Sequence, residues 1–393
     1  MLIGLIGKPN VGKSTFFKAA TLAEIEIGNR PFVTIKPNHG VGYVKVECID
    51  KEFKVQCQPN HGVCIEGNRF VPVEIMDVAG LVPGASEGKG LGNQFLDDLR
   101  QADVFIHIVD CSGETDVEGK PTKDYDPCKD IEFLEEELNL WFYNIFNKVW
   151  KSFSRKAELE NTKFSESVAK QFSGLKVTEE DVKDALRKLN LPEKPTTWKE
   201  DQIKLFVSTL RSHSKPMIIA ANKSDHPNSA NNIKKMKEKF PNYLIYPCSA
   251  DSELALRQAA KIGLIDYIPG EKDFKIIKEL GEKQKQALEK IKSDVLDLYN
   301  GTGVQEILNL AVFDFLKYIA IFPAGAHKLG DSKGHILPDC FLLPPGSTAL
   351  DFAYFLHTDF GKNFIKAIDA RSKKALGKSY ELKHRDALEI VTK

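Results

Sequence analysis

The first residues able to do chemistry are Gly7, Gly12, Lys13 and Ser14, in the stretch GKPNVGKS. The spacing G-x-x-x-x-G-K-S suits a phosphate cradle. In such a loop the backbone N–H groups point at phosphate oxygens, and glycines allow an approach that a Cβ would block. Gly7, Pro9, Asn10, Val11, Gly12, Lys13, Ser14 and Thr15 are thus the expected phosphate-binding residues. Lys13 would reach the β- and γ-phosphates, and the Ser14 hydroxyl would bind Mg²⁺.

Further candidates follow in chain order. VPVEIMDVAG (71–80) ends in Asp77-x-x-Gly80. Asp77 is placed to support Mg²⁺, and the Gly80 N–H to meet a γ-phosphate. RPFVTIKPN (30–38) offers Thr34 as a second Mg²⁺ ligand. PMIIAANKSD (216–225) ends in Asn222, Lys223 and Asp225. A carboxylate accepts two hydrogen bonds from guanine N1–H and its 2-amino group. Adenine would leave that carboxylate unpaired, at a high cost in binding. Lys223 would lie along the base, and Ser249-Ala250 in YPCSAD (246–251) would close over it. The nucleotide read from these residues is GTP or GDP.

These residues need strands to carry them. Leu2–Ile6 is a short apolar run, as expected of a parallel strand buried on both faces. Thr15–Leu22 reads as the start of a helix, so strand, glycine loop and helix follow in order. Each later motif also closes an apolar strand. Sites at the carboxyl edge of a parallel sheet are what an α/β fold provides.

The chain has 393 residues, which implies two or three domains. Its 55 Lys+Arg balance 55 Asp+Glu, which gives no reason to expect a polyanion such as DNA as partner. No apolar run approaches the roughly 18 residues of a membrane helix, and no signal peptide is evident, so a cytoplasmic and monomeric protein is expected. The seven cysteines are scattered, which favours reduced thiols. Cys48, Cys57, His61 and Cys64 fall within seventeen residues, but a zinc site would want tight C-x₂-C pairs. Free thiols are the preferred reading, with metal binding left open.

DVAGLVPGASEGKGLGNQFLDDLR (77–100), GKPNVGKSTFF, PFVTIKPN and the C-terminal GSTALDFAYFLHTDFGKNF resemble the Obg family of P-loop GTPases. The resemblance is strongest to its Obg-like ATPase/YchF branch, in a form typical of archaea. It implies a G domain at 1–112 and 215–270, a C-terminal ubiquitin-like TGS domain of β-grasp fold at 318–393, and a ribosome or RNA partner reached through the TGS domain. YchF proteins replace the lysine and aspartate of the base motif and are taken to prefer ATP. This chain keeps both residues, which argues for GTP. The glutamine that orients water in Ras-like enzymes is replaced by Leu81, so intrinsic hydrolysis should be slow. Asn10 matches an asparagine that helps hold K⁺ in related GTPases, and Arg30 is a competing source of positive charge. An interaction module with negligible turnover and an NTPase that also uses ATP are the alternative functions.

Residues 113–214 read as a helical insertion. Ile131, Leu134, Leu138, Trp141, Ile145 and Val149 recur at steps of three and four, the pattern of an amphipathic helix. Thr178 with Asp181, and Thr197 with Glu200, look like helix caps. A helical connector is expected over 271–317, with one long helix at 271–299. Over 361–393, nine Lys/Arg against four acids give 9 − 4 = +5, a basic patch suited to RNA. His357 is expected to hold a helix end.

Overall fold

The structure is a computed structural model. It describes residues 1–21, 39–78, 100–159, 163–192, 194–326, 328–331 and 333–393. Thr34, Gly80, Leu81 and Arg30 lie outside these residues.

The N-terminal part is built on one sheet. Its strands are β1 (Leu2–Ile6), β2 (His39–Glu47), β3 (Val63–Ile65), β4 (Asn68–Asp77), β5 (Val104–Asp110), β6 (Met217–Asn222) and β7 (Ile245–Pro247). The order is β2-β4-β1-β5-β6-β7, with β3 also paired to β4. β1, β4, β5, β6 and β7 run parallel, while β2 and β3 pair antiparallel with β4. All residues of β1, β5 and β6 are buried, which explains their near-continuous apolar sequence. The register sets Leu5 beside Asp77 and Asp110 beside Asn222. The strand ends therefore line up along one edge, where the sequence placed its motifs.

One face of the sheet packs on the helices Lys13–Thr21 and Ala250–Lys261 and on the segment 304–316. The other face packs on the insertion. There a helix, Cys128–Leu159, lies beside Glu200–Ser214. Its buried stripe runs Ile131, Leu134, Leu138, Trp141, Phe142, Phe146 and Trp150. The expected Ile145 and Val149 are only partly buried. The larger rings win the inner positions: Phe146 stacks on Phe172 at 3.6 Å between centroids, and Trp150 on Trp198 at 5.4 Å. Aromatic pairs of this kind add ~0.5–1.5 kcal/mol to what their burial already contributes.

Thr178 caps the helix Glu179–Leu189 as expected, its Oγ1 accepting from the Asp181 N–H. Thr197 does not cap its helix. It closes a short 3₁₀ turn, and the helix starts at Glu200 after Lys199, whose N–H donates to Gln202 Oε1 at 2.9 Å. Pro195 favours that tight turn by fixing φ.

The long helix expected at 271–299 begins only at Glu282, after Gly281. Residues Lys275–Ile276 instead form β9, paired antiparallel with β8 (Ile265–Asp266). Asn300 ends the run in a left-handed conformation. The segment 304–315 starts as an α-helix and ends in a wider π turn.

The C-terminal part is a second sheet of five strands: β10 (Ile319–Pro323), β11 (Phe341–Leu343), β12 (Phe364–Asp369), β13 (Ala375–Leu376) and β14 (Ala387–Thr392). The order β11-β10-β14-β12-β13, with β10 and β14 parallel at the centre, is the expected β-grasp layout. The helix Ala349–Leu356 buries Phe352 against this sheet. Thr348 and Asp351 form its capping box. His357 accepts a hydrogen bond from the Asp359 N–H, so it caps the helix Thr358–Lys362 and is structural.

This sheet is fastened to the first. Arg385 pairs with Glu47 and Glu52, and Arg371 with Glu52 at 2.7 Å. The Lys373 ammonium donates to the Ala326 and Ala370 carbonyls. Three of the nine basic residues counted over 361–393 thus serve the protein's own packing. The exposed remainder is Lys362, Lys366, Lys374, Lys378, Lys383 and Lys393, a smaller footprint than the +5 count implied.

Candidate nucleotide site

The phosphate loop runs from the end of β1 into the helix that begins at Lys13. Gly7 has φ +153° and Gly12 φ +91°. A Cβ on Gly12 would sit 2.3 Å from Asn222 Nδ2, so that position admits glycine only. Lys13 Nζ lies 3.1 Å from Asp77 Oδ1, and the Ser14 hydroxyl donates to Asp77 Oδ2 at 3.1 Å. Lysine, serine and aspartate therefore converge at one point above the sheet edge. A hydroxyl beside a carboxylate at the start of a phosphate-binding helix fits Mg²⁺, a hard cation that takes oxygen ligands. Ser14 would bind the ion and Asp77 would support it. Thr15 follows in the first turn of the same helix.

Contacts from the insertion shape the loop. Lys8 is buried, donates to the Thr115 carbonyl at 2.9 Å and pairs with Asp130 at 2.8 Å. Its ammonium also stands over the Tyr125 ring. Asn10 has φ +63° and donates its Nδ2 to the Gly119 carbonyl at 2.9 Å. Gly119 packs on the backbone of Pro9, where a Cβ would come within 2.4 Å of the Pro9 oxygen. Val11 is fully buried beneath. Residues 115–130 thus brace the phosphate loop, a role no motif in the sequence signals.

The base end is assembled from three strand ends. Asn222 is 3% exposed and uses both ends of its amide. Its Nδ2 donates to the Val11 carbonyl at 2.8 Å, and its Oδ1 accepts from the Ala250 N–H at 3.0 Å. Asn222 therefore ties the phosphate loop to the loop at 249–250, a structural role beside the nucleotide contact expected of it. Its place at the tip of a central strand, between two loops, explains that role.

Lys223 has φ +63° and pairs with Asp110 Oδ2 at 2.6 Å. Asp110 also accepts from the Ser112 and Thr115 hydroxyls at 2.5 and 2.8 Å. Burial pushes the Asp110 carboxyl up, but the hydrogen bonds from Lys223, Ser112 and Thr115 outweigh it and hold the pKa below the usual range. Asp110 stays ionised and holds the Lys223 ammonium in place. Asp110 went unnoticed in the sequence, although it ends the strand FIHIVD.

Asp225 is half-buried, and its Oδ1 accepts from the Ser249 hydroxyl at 2.8 Å. Ser249 is fully buried and caps the helix Ala250–Lys261. The Ser249 N–H donates to the Thr302 carbonyl, and Gly303 lies so close to Pro247 that a Cβ would meet its oxygen at 2.0 Å. The segment after Asn300 thus presses the 247–250 loop toward Asp225. Lys223, Asp225, Ser249 and Ala250 form one cluster, linked through Asn222 to Gly12, Lys13 and Ser14.

The sequence matches three family profiles: a 50S ribosome-binding GTPase domain over residues 2–148, the G4 motif-containing domain of YGR210-like Obg-like GTPases over 220–325, and a TGS domain over 329–392. An uncharacterized GTP-binding protein of Methanocaldococcus jannaschii is 49% identical over all of this chain and 99% of its own. The ribosome-binding ATPase YchF of Bacillus subtilis is 30% identical, covering 93% of this chain and 87% of its own. A GTP-binding protein of Pyrococcus horikoshii has a crystal structure that superposes with a TM-score of 0.78 at 42% identity, over the full length of both chains. The chain belongs to the Obg family of P-loop GTPases, in its YchF-like branch, and carries a C-terminal TGS domain.

Proposed function

We propose that the protein binds GTP with Mg²⁺, hydrolyses it slowly to GDP, and uses the difference between the two states as a switch on the ribosome or RNA. The observation that carries this reading is the Asp225 carboxylate, oriented by the buried Ser249 hydroxyl beside a Lys223 anchored on Asp110. That arrangement presents a hydrogen-bond acceptor to the guanine edge and penalises adenine. Relatives named ribosome-binding ATPase exist in the YchF branch, but this chain retains the guanine-reading pair. We therefore assign GTP in preference to ATP.

The G domain supplies charge where phosphates would sit, through Lys13 and the N–H groups of residues 12–15. Asn10 shapes the loop through Gly119, and this geometry gives a potassium role no support. On the TGS side six lysines are exposed, and two of them, Lys362 and Lys366, alternate along residues 354–366 with exposed Tyr354, Phe355, Phe360 and Ile365. Aromatic rings interleaved with cations suit RNA bases and phosphates. A ribosomal partner named for the YchF relatives fits that surface.

The test is phosphate release by the purified full-length protein, with GTP and ATP each as sole substrate and each as competitor. GTP turnover that excess ATP does not inhibit is expected. Equal turnover of both would overturn the base assignment, and turnover of neither would reduce the protein to a binding module.

A further inference from the structure

Folding brings together four residues that the sequence spaces widely. Cys48 follows β2, Asp50 opens the short helix Asp50–Phe53, Cys57 lies in the following loop, and Cys64 is in β3. One donor atom from each of the four lies within 4.8 Å of all the others. Cys48, Asp50 and Cys57 are buried and Cys64 is half-buried. His61 is not among them.

The local backbone explains the convergence. Lys54 takes a left-handed conformation and turns the chain back after the short helix. Glu66 and Gly67, with φ +49° and +77°, make the tight two-residue hairpin that returns β3 onto β4. The Cys48 N–H donates to the Gly67 carbonyl, which draws the hairpin over the end of β2. Three separate passes of the chain thus contribute donors, so no C-x₂-C pair is required.

The distances have a specific value. Cys48 Sγ and Cys57 Sγ are 3.8 Å apart, and Cys64 Sγ is 3.7 Å from Asp50 Oδ2. A tetrahedron with zinc–sulfur bonds of about 2.3 Å has a sulfur–sulfur edge of about 3.8 Å. The Asp50 Oδ1 atom is buried without a hydrogen-bond partner among the described residues. An orphaned buried carboxylate oxygen is costly unless something positive meets it. Three thiols and one carboxylate match zinc, which accepts both sulfur and oxygen ligands in four-coordinate structural sites.

We propose that Cys48, Asp50, Cys57 and Cys64 bind one structural zinc ion. Binding releases the thiol protons and leaves three thiolates and a carboxylate around Zn²⁺. The ion fixes residues 54–62, and these hold the C-terminal part of the chain. The Gln58 N–H donates to the Ile336 carbonyl and the Asn60 N–H to the Pro338 carbonyl, each at 2.8 Å. The buried Arg69, opposite Cys64 in the hairpin, donates to the Leu337 and Pro338 carbonyls. The zinc thus staples the edge of the G domain onto which the TGS domain docks, away from the nucleotide.

The full-length protein, purified under reducing conditions, is incubated with Zn²⁺, desalted and assayed by elemental analysis. One zinc per chain is expected, and Co²⁺ in its place should show thiolate-to-cobalt charge-transfer absorption. Cys57→Ser combined with Cys64→Ser should lose the metal, while Cys64→His should keep it. Exchange of the Gln58 and Asn60 amides should speed up when zinc is removed from the wild-type chain. Wild-type protein that takes up no zinc would overturn the site, without recourse to any variant. So would an intact mass two hydrogens short that traces to a Cys48–Cys57 disulfide, or full zinc retention in the double variant.

Discussion

Two edges of the same sheet are organised in opposite ways. At the carboxyl edge of β1, β4, β5 and β6, each functional residue sits on its own strand end, and its motif is a local string of letters. At the outer edge, where β2, β3 and β4 meet the C-terminal domain, the pertinent residues are scattered: Cys48, Asp50, Cys57, Cys64, Arg69 and, far away in the chain, Ile336 to Pro338. The first edge is built for a ligand of fixed shape, so short-range spacing carries the information. The second is built for the chain's own packing, and only the folded backbone reveals it.

That contrast can be broken by mutation. The largest expected effect is from Lys13→Ala. Removing the cation that meets the phosphates should cost ~3 kcal/mol or more, about a hundredfold in GDP affinity by calorimetry. Zinc content should be unchanged in the same protein. Loss of zinc in Lys13→Ala would show that the two edges are not independent.

Asp225→Asn comes next. It should weaken GDP binding by ~2–3 kcal/mol and improve binding of xanthosine diphosphate, whose C2 carbonyl can accept from the new amide. Thermal stability should stay close to wild type, because Asp225 is half-buried and an asparagine oxygen can still accept from the Ser249 hydroxyl. A GDP affinity equal to wild type would remove Asp225 from base recognition.

Asn222→Ala should cost less at the ligand and more in the fold. The residue spans two loops through buried hydrogen bonds, so a loss of ~1–3 kcal/mol in stability is expected, read as a lower denaturant midpoint. If GDP binding collapses with no change in midpoint, Asn222 serves the nucleotide and not the fold.

The smallest effect is expected where the two domains meet by charge. Glu52→Gln removes the partner of Arg371 and Arg385, which are partly solvent-exposed pairs. Such pairs contribute about 1 kcal/mol or less, so the midpoint should barely move. A large shift would mean that these ions, rather than the zinc-bearing segment, hold the TGS domain in place.

The sequence announced the phosphate loop, the base loop and the order of the strands, because glycines with special φ, apolar strands and strand-end acids leave local marks. It missed Asp110, whose ion-pair partner Lys223 lies 113 residues away, and Lys8, whose partner Thr115 lies 107 residues away. It did not show that Asn222, which the motif names for the nucleotide, also has a structural task, because that task comes from burial between two loops. In the insertion it found the helix but chose Ile145 and Val149 over Phe146 and Trp150, since periodicity does not rank neighbours by the size of the cavity they must fill. The connector helix was drawn too long: the charged run 271–281 has helical composition, yet residues 275–276 pair with Ile265–Asp266 and Gly281 starts the helix anew. The cysteines failed the tight-pair rule because three chain passes bring them together.

The most direct test of the central claim is calorimetric titration of the nucleotide-free protein with GDP and then with ADP, with Mg²⁺ present. The account predicts GDP binding tighter by about a hundredfold or more, the discrimination that a buried hydrogen-bonding site can deliver. Equal affinities would contradict it, showing that Asp225 and Ser249 do not form a guanine-reading pocket.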